Sequence, residues 1–326
     1  VRVMNNGCHE FYYEMMDMNE RAVYRAMYDG LKNFESSFAI IECEYGKIAE
    51  IFEKLIDDHP DIFYVDNIGI KTRGMHSGYR IMPKYRFSIE EVNYLIAEVN
   101  NEIKPLVNKC IGLNVFDAEK ILHDYLVNKS TYKDADAPYS HEMPGVFLYG
   151  IGVCEGMAKA FKYLCDNLGI HAGIVVGNTK EETVAHAWNQ ICLDGEWYNV
   201  DITFDANLTK ITGDVRYDYF NVTDSELTDR TSFFKVHSCN KHYGFYERNH
   251  KYAKCQNDLR LIMSGRTENV ISVQLPQLNC SEECLQEYIL KTVSDGIQGT
   301  GKYEIKIWSN YDMNVFTINV KRSYCE

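Results

Sequence analysis

Three residues of this chain have the side chains of a covalent amide-processing site, each in a local setting that suits it: Cys154, His186 and Asp201. A thiol, an imidazole and a carboxylate are the nucleophile, the base and the group that orients the base in acyl-transfer chemistry. The cysteine lies in Gly152-Val153-Cys154-Glu155-Gly156, the histidine opens His186-Ala187-Trp188-Asn189, and the aspartate closes Tyr198-Asn199-Val200-Asp201. Taken singly each has an ordinary reading, since free cysteines are usually buried and inert and a strand histidine is as often structural as catalytic. Their weight depends on whether the surrounding elements bring them together.

Downstream of the thiol, Met157, Ala160, Phe161, Leu164 and Leu168 recur every three or four residues, which predicts an amphipathic helix over residues 155–168. Gly169 is placed to end it. Gly145, Gly150 and Gly152 break regular structure upstream, so Cys154 falls at a loop-to-helix junction. There the free N–H groups and the helix dipole favour a thiolate, and the same N–H groups can hold an oxyanion. The imidazole and the carboxylate fall on a predicted hairpin, with strands over 187–193 and 196–202 and Asp194-Gly195 as a two-residue turn. Counting out from that turn pairs Leu193 with Glu196, Ile191 with Tyr198 and Trp188 with Asp201. His186 shares a face with Trp188, so it becomes a diagonal neighbour of Asp201, roughly 7–8 Å away at the backbone. A slip of one residue would send His186 to the opposite face.

These pieces together resemble the transglutaminase-like superfamily of papain-like cysteine enzymes, in particular its bacterial members. The similar stretch runs from about Leu113 to Val222 and contains GVCEG at 152–156, HAWN at 186–189 and WYNVDITFD at 197–205. The resemblance implies an α+β core, in which a helix bearing the cysteine packs on an antiparallel sheet bearing the histidine and the aspartate. It also implies Cys154 as nucleophile, His186 as base and Asp201 as the acid that orients it. Two positions depart from the family pattern. Pro144 stands where many relatives have a tyrosine, which leaves Tyr139 or Tyr149 to take over any oxyanion or substrate contact, with Trp188 as a third candidate. Phe204 stands where tryptophan is usual.

The chain has 326 residues, 45% of them apolar, enough for two or three domains with real cores. A net charge of −13 argues against nucleic acid or an anionic membrane surface as partner. No apolar run has the length of a membrane span, and Val1-Arg2-Val3-Met4-Asn5-Asn6 shows no signal-peptide core. The 11 cysteines are an odd number without the spacing of a disulfide framework. That favours reducing, cytoplasmic surroundings over secretion with a removed signal peptide. Residues 1–110 read as an N-terminal α+β domain: a helix over 42–57, strands over 62–65 and 79–85, and a Ser88-to-Glu91 capping box. A further helix, expected to be capped by Asp117, leads into the core at 111–255. Residues 256–326 read as a small α+β domain with strands over 270–275, 303–308 and 314–320 around a helix over 282–293.

Metal-capable side chains recur at His237, Cys239, His242, His250 and Cys255, and again at Cys280 and Cys284, but their spacing matches no zinc pattern. No metal and no cofactor is therefore expected, and nothing resembles a calcium loop. Sequons begin at Asn128, Asn207, Asn221 and Asn279. The expected activity is cysteine-dependent amide hydrolysis or acyl transfer through a thioester on Cys154, with a peptide or protein as substrate. Hydrolysis is favoured because the bacterial resemblance points that way. The alternative is a catalytically silent binding or assembly module, suggested by Pro144 and the large flanking segments. Nothing in the sequence specifies an oligomeric state.

Overall fold

Polar residues that satisfy free backbone N–H groups start most of the long helices. In the computed structural model, which describes residues 8–72, 78–133, 136–180, 185–265, 269–276, 280–297 and 302–323, Asp17 caps α1 (Met18–Lys32) in a reciprocal box with Glu20. That helix was not expected, although Asp17-Met18-Asn19-Glu20 carries its signal. After β1 (Phe38–Ile40) and α2 (Tyr45–Asp58), β2 (Val65–Thr72) and β3 (Tyr79–Tyr85) complete a small antiparallel sheet in the order β1-β3-β2. β2 begins where the strand expected at 62–65 was to end. Ser88 and Glu91 form the expected box at the head of α3 (Ile89–Cys110). The cap of α4 (Val115–Lys129) is Asn114, whose side chain accepts from the backbone N–H of Asp117 at 2.9 Å. Asp117 is therefore the third helical residue and not the cap, as an amide three residues earlier reaches the same donor.

The elements around the thiol follow: β4 (Thr131–Tyr132), α5 (Met143–Tyr149), β5 (Ile151–Gly152), α6 (Cys154–Leu168), β6 (Ala172–Thr179), β7 (His186–Leu193), β8 (Glu196–Val200) and α7 (Ile202–Thr212). β9 (Phe220–Val222) and β10 (Arg230–Ser232) come next. β10, β6, β7 and β8 lie side by side, each neighbour antiparallel. The hairpin register is the one counted from the turn, with Leu193 opposite Glu196 and Ile191 opposite Tyr198. Asp194 and Gly195 both take positive φ, 54° and 83°, as a two-residue turn of this kind requires. β8 stops at Val200, two residues short of the expected end, because Asp201 turns the chain into α7.

The chain divides into two compact units, the first comprising residues 1–216 with 229–238 and the second residues 217–228 with 239–326. This differs from the three segments expected, and the polar face of α6 supplies the reason. Lys159 and Lys162 are charged residues of α6 for which solvent would be expected, yet they are 2% and 0% exposed. The first hundred residues cover them. Lys162 Nζ lies 3.4 Å from the sulfur of Cys8, and the Tyr12 hydroxyl donates to the Ile174 carbonyl at 2.8 Å. The N-terminal segment therefore closes the core of the α6 helix and does not fold beside it. In the second unit, α8 (Phe245–Arg248), α9 (Gln256–Ser264), β11 (Val270–Gln274), α10 (Glu282–Gly296), β12 (Lys302–Asn310) and β13 (Val315–Ser323) form a separate α+β body. Its sheet order is β11-β13-β12, and Leu259, Met263, Ile289, Phe316 and Ile318 fill its core. Among the described residues, no helix is long and apolar enough to cross a membrane. Asn221 of the sequon set is buried, and Asn279 lies outside the described residues.

Candidate active site

α6 begins at the cysteine itself, with Val153 as its extended N-cap and no side chain closing that end. The backbone N–H groups of Cys154 and Glu155 make no hydrogen bond among the described residues. The helix end is pressed onto the preceding loop: Val153 N–H donates to the Ser140 carbonyl at 2.9 Å. A Cβ on Gly156 would lie 2.3 Å from that same carbonyl oxygen, so only glycine fits in the first turn. Cys154 is partly exposed and packs beside Ala158, Ile174, Val176 and Ala187. Asn189 fixes the helix against the sheet. Its side-chain amide donates to the Ala158 carbonyl at 3.0 Å and to the Gly173 carbonyl at 3.2 Å.

His186 starts β7 on the face that looks toward α6. Its Nε2 lies 2.7 Å from Asp201 Oδ2, and the Cys154 thiol lines the same cleft, close enough to raise the ring's proton affinity. With Nε2 engaged by the carboxylate, Nδ1 is the ring nitrogen left for proton exchange with the thiol. Asp201 divides its two oxygens: Oδ2 meets the imidazole, while Oδ1 caps α7 by accepting from the Phe204 N–H at 3.0 Å. The ring of Phe204 stands edge-on to His186 at 5.1 Å between centroids. Phe204 thus holds the imidazole from the side.

A residue that the sequence did not point to completes this cluster. Arg230 of β10 is paired through Nη1 with Asp201 Oδ2, with both side chains 1% exposed, and its guanidinium lies over the rings of Phe204 and Trp188. Burial alone would raise the Asp201 acid, but Arg230, His186 and the Phe204 N–H hold it far below the usual carboxylate range. For His186, burial pulls the other way and lowers its affinity for a proton. The charge of Asp201, the hydrogen bond to it and the nearby Cys154 thiol outweigh that, and the imidazole is pushed up to about 9. No local spacing marks Arg230, because its partner lies 29 positions away across the sheet.

The cleft at the thiol has a volume of about 850 Å³. Cys154 and His186 line it together with Phe52, Asp57, Tyr132 and Phe234. The three aromatic candidates lie elsewhere. Tyr139 and Tyr149 stack on one another at 5.7 Å, with Phe87 against Tyr139, and neither lines the cleft. Both flank the tight turns of α5, where the Tyr139 backbone takes φ 60° and its carbonyl abuts Gly145. Trp188 shares the His186 face but is buried behind it, donating its indole N–H to Asn199 Oδ1 at 3.2 Å. Beside the thiol runs a buried ion network. Lys159 Nζ meets Glu142 at 2.8 Å and Glu155 at 2.6 Å, Arg86 meets Glu142 at 2.5 Å, and His141 meets Glu155 at 2.8 Å. Of these, the Glu155–Lys159 pair is the one spaced by a single helical turn. Among the described residues no group of three or more His, Cys, Asp and Glu side chains is arranged to hold a metal ion.

Among solved structures, the chain is similar to a TGase at 17% identity, covering 50% of this chain and 48% of that one, with a TM-score of 0.29. It is likewise similar to a candidate cysteine protease from Cytophaga hutchinsonii at 16% identity, covering 53% and 73%, with a TM-score of 0.29. The periplasmic domain of TgpA from Pseudomonas aeruginosa matches at 16% identity over 43% of this chain and 59% of that one, with a TM-score of 0.29. The chain thus spans about half to three quarters of those structures. A search of curated proteins finds no match. Residues 108–202, which carry Cys154, His186 and Asp201, match the model of the transglutaminase-like superfamily.

Proposed function

We propose that the protein cleaves amide bonds of a peptide or protein substrate through a thioester on Cys154. The observation that carries this reading is the position of His186, which lines one cleft with the Cys154 thiol and is hydrogen-bonded to a buried, ion-paired Asp201. Cys154 attacks as its thiolate, with the proton held by His186. Addition to the amide carbon gives a tetrahedral oxyanion, which the unpaired N–H groups at the head of α6 are placed to stabilise. The C–N bond breaks, His186 passes its proton to the departing amine, and the acyl group remains on sulfur. Water then adds to the thioester with His186 as base, releasing a carboxylic acid and restoring the thiol. Asp201 keeps the imidazole in one orientation and supports its charge throughout. Pro144 is buried at the start of α5 and leaves no tyrosine at that position. Its substitution is compatible with catalysis because the backbone donors of α6 do not depend on it.

Water is favoured as the acceptor over an amine, since the acyl-enzyme shares one cleft with solvent and no separate amine site is evident among the described residues. The cleft at a partly exposed thiol also supports turnover over the silent-module alternative, which expects the thiol to be closed off. The test is covalent. Iodoacetamide at neutral pH should alkylate Cys154 faster than the other cysteines, and Cys154→Ala should abolish amine release from a peptide library. Labelling of Cys154 no faster than of Cys255 or Cys284, both exposed, would count against an activated thiol.

A further inference from the structure

Two neighbouring aspartates end α2, and only one of them is used by the fold. Asp58 accepts the backbone N–H groups of Tyr12 and Tyr13 and the hydroxyl of Tyr24, all at 3.0–3.1 Å. Asp57 is 7% exposed and lines the cleft with Cys154, yet its carboxyl group makes no hydrogen bond among the described residues. An acid buried to that degree is costly without a partner, and such groups in native folds usually await a ligand or water. The walls around it are apolar, formed by Phe52, Ile56, Val65, Phe233 and Phe234. Of the other charged residues at the cleft, Asp66 is paired with Lys84, Glu155 with Lys159 and His141, and His186 with Asp201, which leaves Glu53 and Asp57 without a cation of their own among the described residues. Glu53, Asp66 and Glu155 line it as well, and Lys159, the cation nearest to Asp57, is already held between Glu142 and Glu155.

We propose that Asp57 is the recognition group of this cleft and takes a cationic side chain of the peptide substrate, an alkyl stem ending in an ammonium or guanidinium group. The inference rests on the amide-cleaving reading only for the identity of the ligand as a peptide. The stem lies along the phenylalanine wall, and the charged head replaces the missing hydrogen bond at Asp57. Burial, with Glu155, Asp58 and Glu53 nearby, pushes the empty-site acid well above the usual range against the pull of Lys159. An arriving cation therefore takes the place of a proton. A substrate carboxylate would instead meet Asp57 and Glu53, and a neutral alkyl chain would leave Asp57 unsatisfied.

The experiment uses the full chain with Cys154→Ala, so that binding is measured without turnover and a failure of the thioester chemistry is scored separately. Fluorescently labelled tetrapeptide pools, each with one position fixed as lysine, norleucine or glutamate, are titrated by anisotropy. At one position the lysine pool should bind about tenfold more tightly than the norleucine pool, the scale of one charge-assisted hydrogen bond. Adding Asp57→Asn should bring the two within about twofold, with thermal melting used to confirm folding. If that variant does not fold, Asp57→Ser carries the second arm. Equal binding of lysine and norleucine pools, preference for glutamate, binding by no pool, or a lysine advantage that survives loss of the carboxylate would each overturn the proposal.

Discussion

His186 keeps its proton at neutral pH because the Asp201 charge beside it outweighs the penalty of burial, and two measurements follow from that balance. The ring's ordinary value is 6.5 and its folded value about 9. The stability this adds, about 3 kcal/mol, is therefore whole below pH 6.5 and fades as the pH rises to about 9. Urea midpoints recorded from pH 6 to 10 should fall over that window, and His186→Gln should flatten the slope. Amide cleavage should decline over the same alkaline range as the proton donor to the leaving amine is lost. Asp201→Asn leaves burial unopposed, so the ring should lose its proton below its ordinary range, and the rate should drop roughly 10³–10⁴-fold. Arg230→Met has the opposite signature at the imidazole, since Arg230 lowers its proton affinity. The alkaline decline should move to higher pH, while the buried Asp201, deprived of one of its two charged partners, costs the fold about 3–5 kcal/mol. Calorimetric melting alongside a pH–rate profile separates the two effects. The meeting of His186 with Asp201 was legible from turn chemistry, but that of Arg230 with Asp201 was not, because a cross-sheet ion pair leaves no periodic trace.

At the scale of elements, the site depends on one helix end and one hairpin. The helix was legible because its apolar positions recur at helical spacing and Gly169 ends it in the left-handed region, φ 67°. The hairpin was legible because Asp194-Gly195 admits one tight turn, and that turn sets which residue faces which. α7 was missed: Ile202 and Thr203 read as strand residues, whereas the Asp201 side chain caps a helix at that point. The close approach of Gly156 to the Ser140 carbonyl gives a test at this scale. Gly156→Ala must move the helix end or the loop, so amide cleavage should fall at least tenfold, with a stability loss of about 1–3 kcal/mol. Comparing the alkylation rate of Cys154 in the variant with its melting temperature distinguishes a displaced thiol from a loosened fold.

The first unit as a whole is built so that the N-terminal residues shield the polar side of α6. Phe11 packs against Gly173, where a Cβ would lie 2.2 Å from its ring, and Asp58 at the end of α2 binds the backbone of Tyr12 and Tyr13 and the hydroxyl of Tyr24 in α1. A chain truncated to begin at residue 111 should therefore expose Lys162, Phe161 and the back of β6 and fail to give a cooperative melt; a sharp transition with native circular dichroism would show the core to be self-sufficient. Residue type, apolar period and turn chemistry were enough, from the sequence alone, to specify the Cys154 helix, the register that sets His186 against Asp201, and the α+β composition of the core. Those signals act over a few residues, where backbone geometry leaves few choices. Only the tertiary structure decided that Arg230 meets Asp201, that Lys159 and Lys162 are buried, that Asp57 is left unsatisfied in the cleft, and that the N-terminal segment shares a core with α6. Each of these depends on a contact between distant segments, and a lysine or aspartate looks the same in sequence whether solvent or another part of the chain lies above it.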